Sequence, residues 1–262
     1  MTYTPDYRRI LHRMGYYDYQ MGLAVRYLNQ GEGWKVHSRR CRNFIMKVVE
    51  MNRPGRITVL GSGWLLEFPL AETAGTAEKI ILADVIHPPE VVSQTAGITN
   101  IELLEADLTG GLIEELWDKT RKRGILRRIL SPGDMNLHTF SIPDFDMPDP
   151  GLVISLNILT QLEVLPLKLL RRRPLLPDED LELFAAEIQR KHIEFLKKHN
   201  SVIITDISEM SLDKKGNSRE SPTLRTALPE GRLREEWVWD FDLTGEDFRR
   251  KRTFLRVAAV ML

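Results

Sequence analysis

Four short stretches carry the residue types from which a binding site could be built. Thr58-Val59-Leu60-Gly61-Ser62-Gly63-Trp64-Leu65-Leu66-Glu67 is an apolar run that breaks on two closely spaced glycines. Gly61 permits a tight turn, and Gly63 lets the backbone approach a ligand with no Cβ in the way. A helix opening there would offer free N–H groups to a polar or negatively charged ligand group. The turn alone is a weak motif: the dinucleotide fingerprint wants a third glycine where Leu66 stands, and a ligand-free structural turn competes. Asp84 closes a second apolar run, 21 residues after Gly63, where a carboxylate can accept both hydroxyls of a ribose. Asp107 closes a third run and can face an adenine edge from the same rim. Asn157 closes a fourth, across the crevice where an open parallel sheet changes direction. A helix cap or a solvated strand end explains either acid alone. The four features together point to a nucleoside-containing ligand.

Other constellations are weaker. His87, in Asp84-Val-Ile-His-Pro-Pro89, can serve as a base toward an acceptor, although a loop or capping histidine is the plainer reading. His192 and His199 lie seven apart on one helical pattern, but His192 falls on its apolar face, which favours a core role over metal ligation. Asp144, Asp146 and Asp149 crowd a proline-rich loop that reads as a solvated turn. No metal site is expected, and no catalytic residue can be singled out. The spacing of a phosphate-binding P-loop and of a Gly-x-Ser-x-Gly nucleophile elbow are both absent.

The elements that must position these residues alternate. Apolar runs of strand length at Ile57–Leu60, Lys79–Val85, Ile101–Leu108, Gly151–Asn157 and Ser201–Asp206 are separated by helical patterns, including a helix-like stretch from Gly63 to Ala74. Continuous apolar runs suit strands buried on both faces, and strands separated by helices imply right-handed crossovers and a parallel sheet. Leu181, Phe184, Ala185, Ile188, His192, Phe195 and Leu196 mark the helix before the fifth strand. The tail departs from this alternation. Trp237, Trp239 and Phe241 share one face of an alternating run, and Thr253–Leu262 follows with too little chain between for a crossover helix. These two strands should be antiparallel neighbours. The polar stretch 211–232 reads as a long mobile loop.

The 262 residues suit a domain with an elaboration. Lys plus Arg and Asp plus Glu both number 37, so no global field points at nucleic acid or an anionic membrane. A single cysteine, Cys41, excludes an internal disulfide and a multi-thiolate zinc site. The first residues lack the apolar stretch of a signal peptide, and no window approaches the roughly 18 apolar residues of a membrane span. A soluble cytoplasmic protein is expected. Charge is unevenly spread: residues 1–56 hold 11 Lys or Arg against 4 Asp or Glu, while the remainder holds 26 against 33. All six tyrosines, Tyr3, Tyr7, Tyr16, Tyr17, Tyr19 and Tyr27, lie in that basic head. Its last helix is expected to start behind Ser38 as N-cap and to stop at Arg53-Pro54-Gly55. Basic residues interleaved with tyrosine can hold RNA or another polyanion. Solvated arginines on helices whose other face packs on the body are the plainer account.

From Arg56 to the end, the chain resembles the class I S-adenosylmethionine-dependent methyltransferases in its order of elements, including the antiparallel pair at the carboxyl end. The resemblance implies an α/β fold: a doubly wound, mostly parallel seven-stranded sheet with helices on both faces, an antiparallel C-terminal strand pair and a helical N-terminal extension. It divides the chain into an extension or lid, 1–55, and a Rossmann-like S-adenosylmethionine-binding domain, 56–262. It implies that Gly61, Ser62 and Gly63 line the methionine moiety of S-adenosyl-L-methionine, that Asp84 holds the ribose, and that Asp107 with Leu108 flanks the adenine. Leu156-Asn157-Ile158-Leu159 looks like the family's fourth motif, beside the reactive sulfonium and the acceptor. Val59 stands where the family carries an acid, and Leu65 where it carries a third glycine. Glu67 is the substitute acid. The implied activity is methyl transfer to an acceptor, with a small molecule favoured. Tyr16, Tyr17 and Tyr19 can close over the pocket. Cys41 lacks the Pro-Cys context of cytosine-carbon methyltransferases. The alternatives are a non-catalytic nucleoside- or polyanion-binding protein on the same fold and an NAD-dependent oxidoreductase.

Overall fold

The computed structural model describes residues 4–121, 137, 140–172, 176–245 and 251–262; Tyr3 lies outside them. The apolar runs become strands: β1 (Arg56–Leu60), β2 (Lys79–Asp84), β4 (Leu152–Leu156) and the first half of the long β5 (Ser201–Leu212) are largely buried, while β3 (Ile101–Glu105), at the sheet edge, is half-exposed. Three more follow: β6 (Ser218–Pro222), β7 (Leu233–Asp242) and β8 (Arg252–Met261). Among the described residues they form one sheet of order β3-β2-β1-β4-β5-β8-β7, with β6 added on β5. The first five are mutually parallel, and β8 runs antiparallel to both neighbours. A mixed α/β sheet with a C-terminal antiparallel pair is the arrangement expected from the sequence. The strand count is corrected from seven to eight.

The added strand corrects the reading of 211–232 as a mobile loop. Ser218–Pro222 is polar and has no strand alternation, so only its partner makes it a strand: residues 218–222 pair with Ser208–Leu212 of β5. Because β8 pairs along β5 from Val202 to Leu212, β4 and β6 must share the opposite edge. Asp206 sits where that edge passes from β4 to β6, beside a register irregularity.

Side chains alternate between two cores, one per sheet face, as the strand period of two requires. Ile154 and Ile204 join one core, with Trp34, Phe44, Ile45 and Val48. Val153 and Ile203 join the other, with Leu112, Leu116, Phe184 and Ile188. The helices facing these cores are α2 (Tyr16–Asn52), α3 (Leu70–Ala74), α4 (Pro89–Thr95), α5 (Leu112–Arg121), α6 (Val164–Leu170) and α7 (Asp178–Lys197), while α1 (Pro5–Met14) packs in a smaller third cluster. No described helix is long and apolar enough to cross a membrane.

The basic head is the two helices α1 and α2. Ser38 is not an N-cap: it lies inside α2, buried, with its hydroxyl unpartnered. The helix begins at Tyr16 and passes through a kink at Gly31 (φ 22°, ψ −82°). It continues past that break because its second half lies directly on β7. A Cβ on Gly33 would stand 2.7 Å from Asp240 Cβ and closer still to the Asp240 carbonyl. The Trp34 indole donates to Phe241 O at 3.0 Å. Gln30, at the kink, donates to Asp242 Oδ1 and Thr244 Oγ1 and accepts from Leu243 N–H. The α1 helix packs Tyr7, Ile10, Leu11 and Met14 against Ile86 and Ile113 at the carboxyl-end rim of the sheet. Much of the head's charge is paired: Arg8 holds Glu105, Lys47 holds Glu235 and Arg56 holds Asp149.

Candidate functional site

The glycine turn after β1 is a loop, not a helix start. Residues 61–69 are irregular, and α3 begins only at Leu70. Leu65, at φ 57°, adopts a left-handed backbone no helix can contain. The expected helix N-terminus is therefore absent, and Glu67 lies in the loop instead of one turn into a helix. At φ 78° Gly61 must lack a side chain, since a Cβ would meet Ile158 Cβ at 2.6 Å. This glycine lets the loops after β1 and β4 cross where the strand order reverses.

Asp84 organises the loop. Its Oδ2 accepts from Gly63 N–H at 2.7 Å, and its Oδ1 accepts from Val85 N–H at 2.7 Å and from the Gln20 amide at 3.4 Å. Burial pushes its carboxyl above the usual range, opposed chiefly by the Gly63 N–H and the charge of His87. Asp107 is similarly engaged. Oδ1 accepts from the Thr109 N–H and hydroxyl, while Oδ2 accepts from Ile113 N–H at 3.2 Å and the Tyr7 hydroxyl at 3.1 Å. Burial raises its pKa as well, against those donors.

Asn157, after β4, also adopts a left-handed backbone (φ 52°), which asparagine tolerates. Its side-chain amide lies 3.0 Å from Nε2 of His37. The Trp237 indole donates to Nδ1 of that ring at 3.1 Å, so Nδ1 accepts. His37 stacks on Trp239 at 3.7 Å, and burial lowers its pKa to about 3. Glu67 is pushed up to about 7 by burial, with Arg42 opposing.

These residues meet around three adjoining cavities. Gly61, Ser62, Gly63, Glu67, Asp84 and Asn157 line the first, with Gln20 and Trp64, enclosing about 60 Å³. Asp84, Asp107 and Leu108 line the second, with Tyr16, enclosing about 40 Å³. The third is larger, about 520 Å³, and is lined by Tyr19, Asn157, Glu163, Asp206, Trp239 and Phe241 among others. Asp84 is common to the first two, Asn157 to the first and third, and Gln161 to all three.

All eight singled-out residues are thus brought together. His87 is not among them: it lines none of these cavities, and its buried ring nitrogens have no partner. His192 is a core residue whose Nε2 lies 2.9 Å from the Ser155 hydroxyl. Cys41 is buried beside His37. Asp144 pairs with Lys191 and Asp149 with Arg56. No group of three His, Cys, Asp or Glu among the described residues can hold a metal ion.

Sequence reasoning passed over Gln20, Gln161, Glu163 and Asp206 as lining residues. Asp206 ends an apolar run, as Asp84 does, and that signal was available. Gln20, on α2, and Gln161 and Glu163, in the turn before α6, carry none, because only the tertiary packing of those segments turns them inward.

No protein-family model matches the chain, and no curated protein matches it. Among solved structures it is similar to the Burkholderia thailandensis 1,6-didemethyltoxoflavin-N1-methyltransferase with bound 1,6-didemethyltoxoflavin and S-adenosylhomocysteine. That match has 10% identity, covers 100% of this chain and 91% of that chain, and has a TM-score of 0.40. It is also similar to the N-methyltransferase NodS from Bradyrhizobium japonicum WM9 in complex with S-adenosyl-l-homocysteine (10% identity, 84% and 85% covered, TM-score 0.33). A third is the DhpI–SAH complex (12% identity, 93% and 94% covered, TM-score 0.35).

Proposed function

We propose that the chain is an S-adenosylmethionine-dependent methyltransferase acting on a small molecule. One observation carries this reading: the features that follow β1, β2, β3 and β4 line contiguous cavities at the carboxyl ends of the strands, the usual ligand position in open α/β sheets. The first cavity suits the amino-acid end of the cofactor. The Ser62 hydroxyl, Gln20 Oε1 and the outward atom of the Asn157 amide are all buried without partners, and each lines it. Buried polar atoms are normally bonded, so a zwitterionic ligand group would complete them. Asp84 would meet the ribose, and Asp107 with Leu108 the adenine.

The adenosine end needs room that the extension now takes. Gln20 bonds Asp84 and Tyr7 bonds Asp107, so the part of the 1–55 extension ahead of the kink at Gly31 acts as a lid over 56–262 and must lift for entry. S-adenosylmethionine, once bound, supplies an electrophilic methyl group. The chain contributes orientation and exclusion of water, which can carry much of such a displacement. Isothermal titration of the full chain with S-adenosylhomocysteine should show saturable binding, abolished in Asp84→Ala. A flat titration of the folded wild-type protein would sink the assignment.

A second reading is favoured by the same two acids. Both are satisfied by the protein's own donors, as in a methyltransferase fold kept as a non-catalytic binding module. Such a protein would retain its fold and show no adenosyl binding.

A further inference from the structure

We propose that the large cavity beside Asn157 is the acceptor site, and that it takes an organic amine, docked as its ammonium between the carboxyl groups of Asp206 and Glu163 against an aromatic wall. This inference rests on the methyltransferase reading for the purpose of the site, though not for its chemistry.

Three acids, Glu163, Asp206 and Glu209, and three arginines, Arg26, Arg171 and Arg225, line the cavity, so its charge preference turns on which of them are already paired. Asp206 lies at the gap in the β5 edge between β4 and β6, and the Thr160 hydroxyl donates to its Oδ1 at 2.6 Å. No described cation pairs with it. Glu163 is 3% exposed. Its Oε1 accepts from Gln189 at 2.8 Å and faces Arg225 Nε at 3.5 Å, while Oε2 is buried with no partner. The arginines are engaged by other groups, although Arg225 Nε is itself buried without a hydrogen-bond partner. Arg225 grips Glu182 at 2.5 Å, Arg171 lies 3.8 Å from the same carboxylate, and Arg26 sits over the Phe241 ring at 4.9 Å. Burial, reinforced by the charges of Asp206 and Glu163 and opposed by Arg26, lifts Tyr19 to about 12.

Several ligand classes fail on this lining. A carboxylate or phosphate would meet the acids and would have to draw on arginines already held by Glu182 and Phe241, and a metal ion lacks a third suitable ligand among the described residues. A neutral alcohol brings a single donor. An ammonium brings three donors and the charge the acids lack, and aromatic walls such as those of Tyr19 and Trp239 favour a cation over their faces. The space, about 520 Å³, is that of a small-molecule site. Trp239 Nε1 is a buried donor without a partner, so the amine also carries an acceptor such as a hydroxyl. Before the nitrogen can be methylated it must lose a proton. The ammonium N–H breaks, the proton passes to the Asp206 carboxylate, and the electron pair stays on nitrogen.

The test is calorimetry on the full chain without cofactor, using tyramine, 4-ethylphenol and 4-hydroxyphenylacetate as probes, with S-adenosylhomocysteine titrated separately. Tyramine should bind at least tenfold more tightly than 4-ethylphenol, and the acid should not bind. Asp206→Asn and, as a second variant, Glu163→Gln should each weaken tyramine at least tenfold while leaving S-adenosylhomocysteine affinity unchanged. Equal binding of the three probes, or binding of none, overturns the amine inference. S-adenosylhomocysteine binding without amine binding leaves the methyltransferase reading standing. Amine binding without S-adenosylhomocysteine binding leaves the amine site and removes that reading.

Discussion

At the scale of single residues, the two strand-end acids that mark the site are held by the protein itself. Asp84 ties the glycine turn to β2, and Asp107 caps the start of α5 through Ile113 N–H. Their first role is architectural, with ligand binding superimposed on it. This predicts an unusual gain of function. If the Tyr7 hydroxyl competes with adenine for Asp107, Tyr7→Phe removes a hydrogen bond of about 0.5–1.5 kcal/mol that entry must break. S-adenosylhomocysteine should then bind several-fold more tightly than to wild type in calorimetry; weaker binding would mean that Tyr7 belongs to the bound state.

At the scale of elements, the seat of α2 on β7 depends on one missing side chain. Gly33→Ala places a methyl group against the Asp240 backbone, and neither helix nor strand can retreat without disturbing Trp34. Overpacking of this kind costs about 1–3 kcal/mol, and a drop in thermal midpoint of several degrees should follow. An unchanged midpoint would show that the helix rides higher than described. The strands were legible in the sequence because runs such as Ile57–Leu60 and Leu152–Leu156, apolar but for one small hydroxyl each, have few other places to go. The site's outline was legible for the same reason, since Asp84 and Asn157 end such runs. What was misread depended on partners. Leu65 with Phe68 and Leu66 with Leu70 have helical spacing, yet the Asp84–Gly63 bond holds residues 61–69 in a loop. Ser218–Pro222 has no pattern of its own and is ordered by β5. The first half of α2 has Met21 and Leu28 exposed, at 55% and 76%, so no stripe announced it.

At the scale of the whole molecule, buried ionisable groups set an uncommon pH response. Burial lifts Glu163 to about 7 from 4.5, so the folded state holds this proton while the unfolded state releases it. Stability from this group is full below pH 4.5 and is lost as pH rises toward 7. His37 and His192, lowered to about 3 and about 4 by burial, act in the opposite sense, losing stability as pH falls below 6.5. Glu163→Gln should therefore gain on wild type as pH is raised from 5 to 8, by on the order of 2–3 kcal/mol. Denaturant titrations at the two pH values check this, and a pH-independent difference would place the Glu163 carboxyl in water.

The single helix that forms both cover and core constrains how the site admits anything. From Trp34 onward one face of the helix, with Trp34, Cys41, Phe44, Ile45, Val48 and Val49, is buried in the core on the sheet, and Gln30 is pinned to the turn after β7. Only the turns ahead of that pin are free to swing, about the bend at Gly31. Deuterium uptake should accordingly divide within one helix: amides from Tyr16 to Leu28 should label orders of magnitude sooner than those from Trp34 to Val49. The doorway would then be a frayed half of a structural column, opening without any cost to the pillar that holds up the sheet.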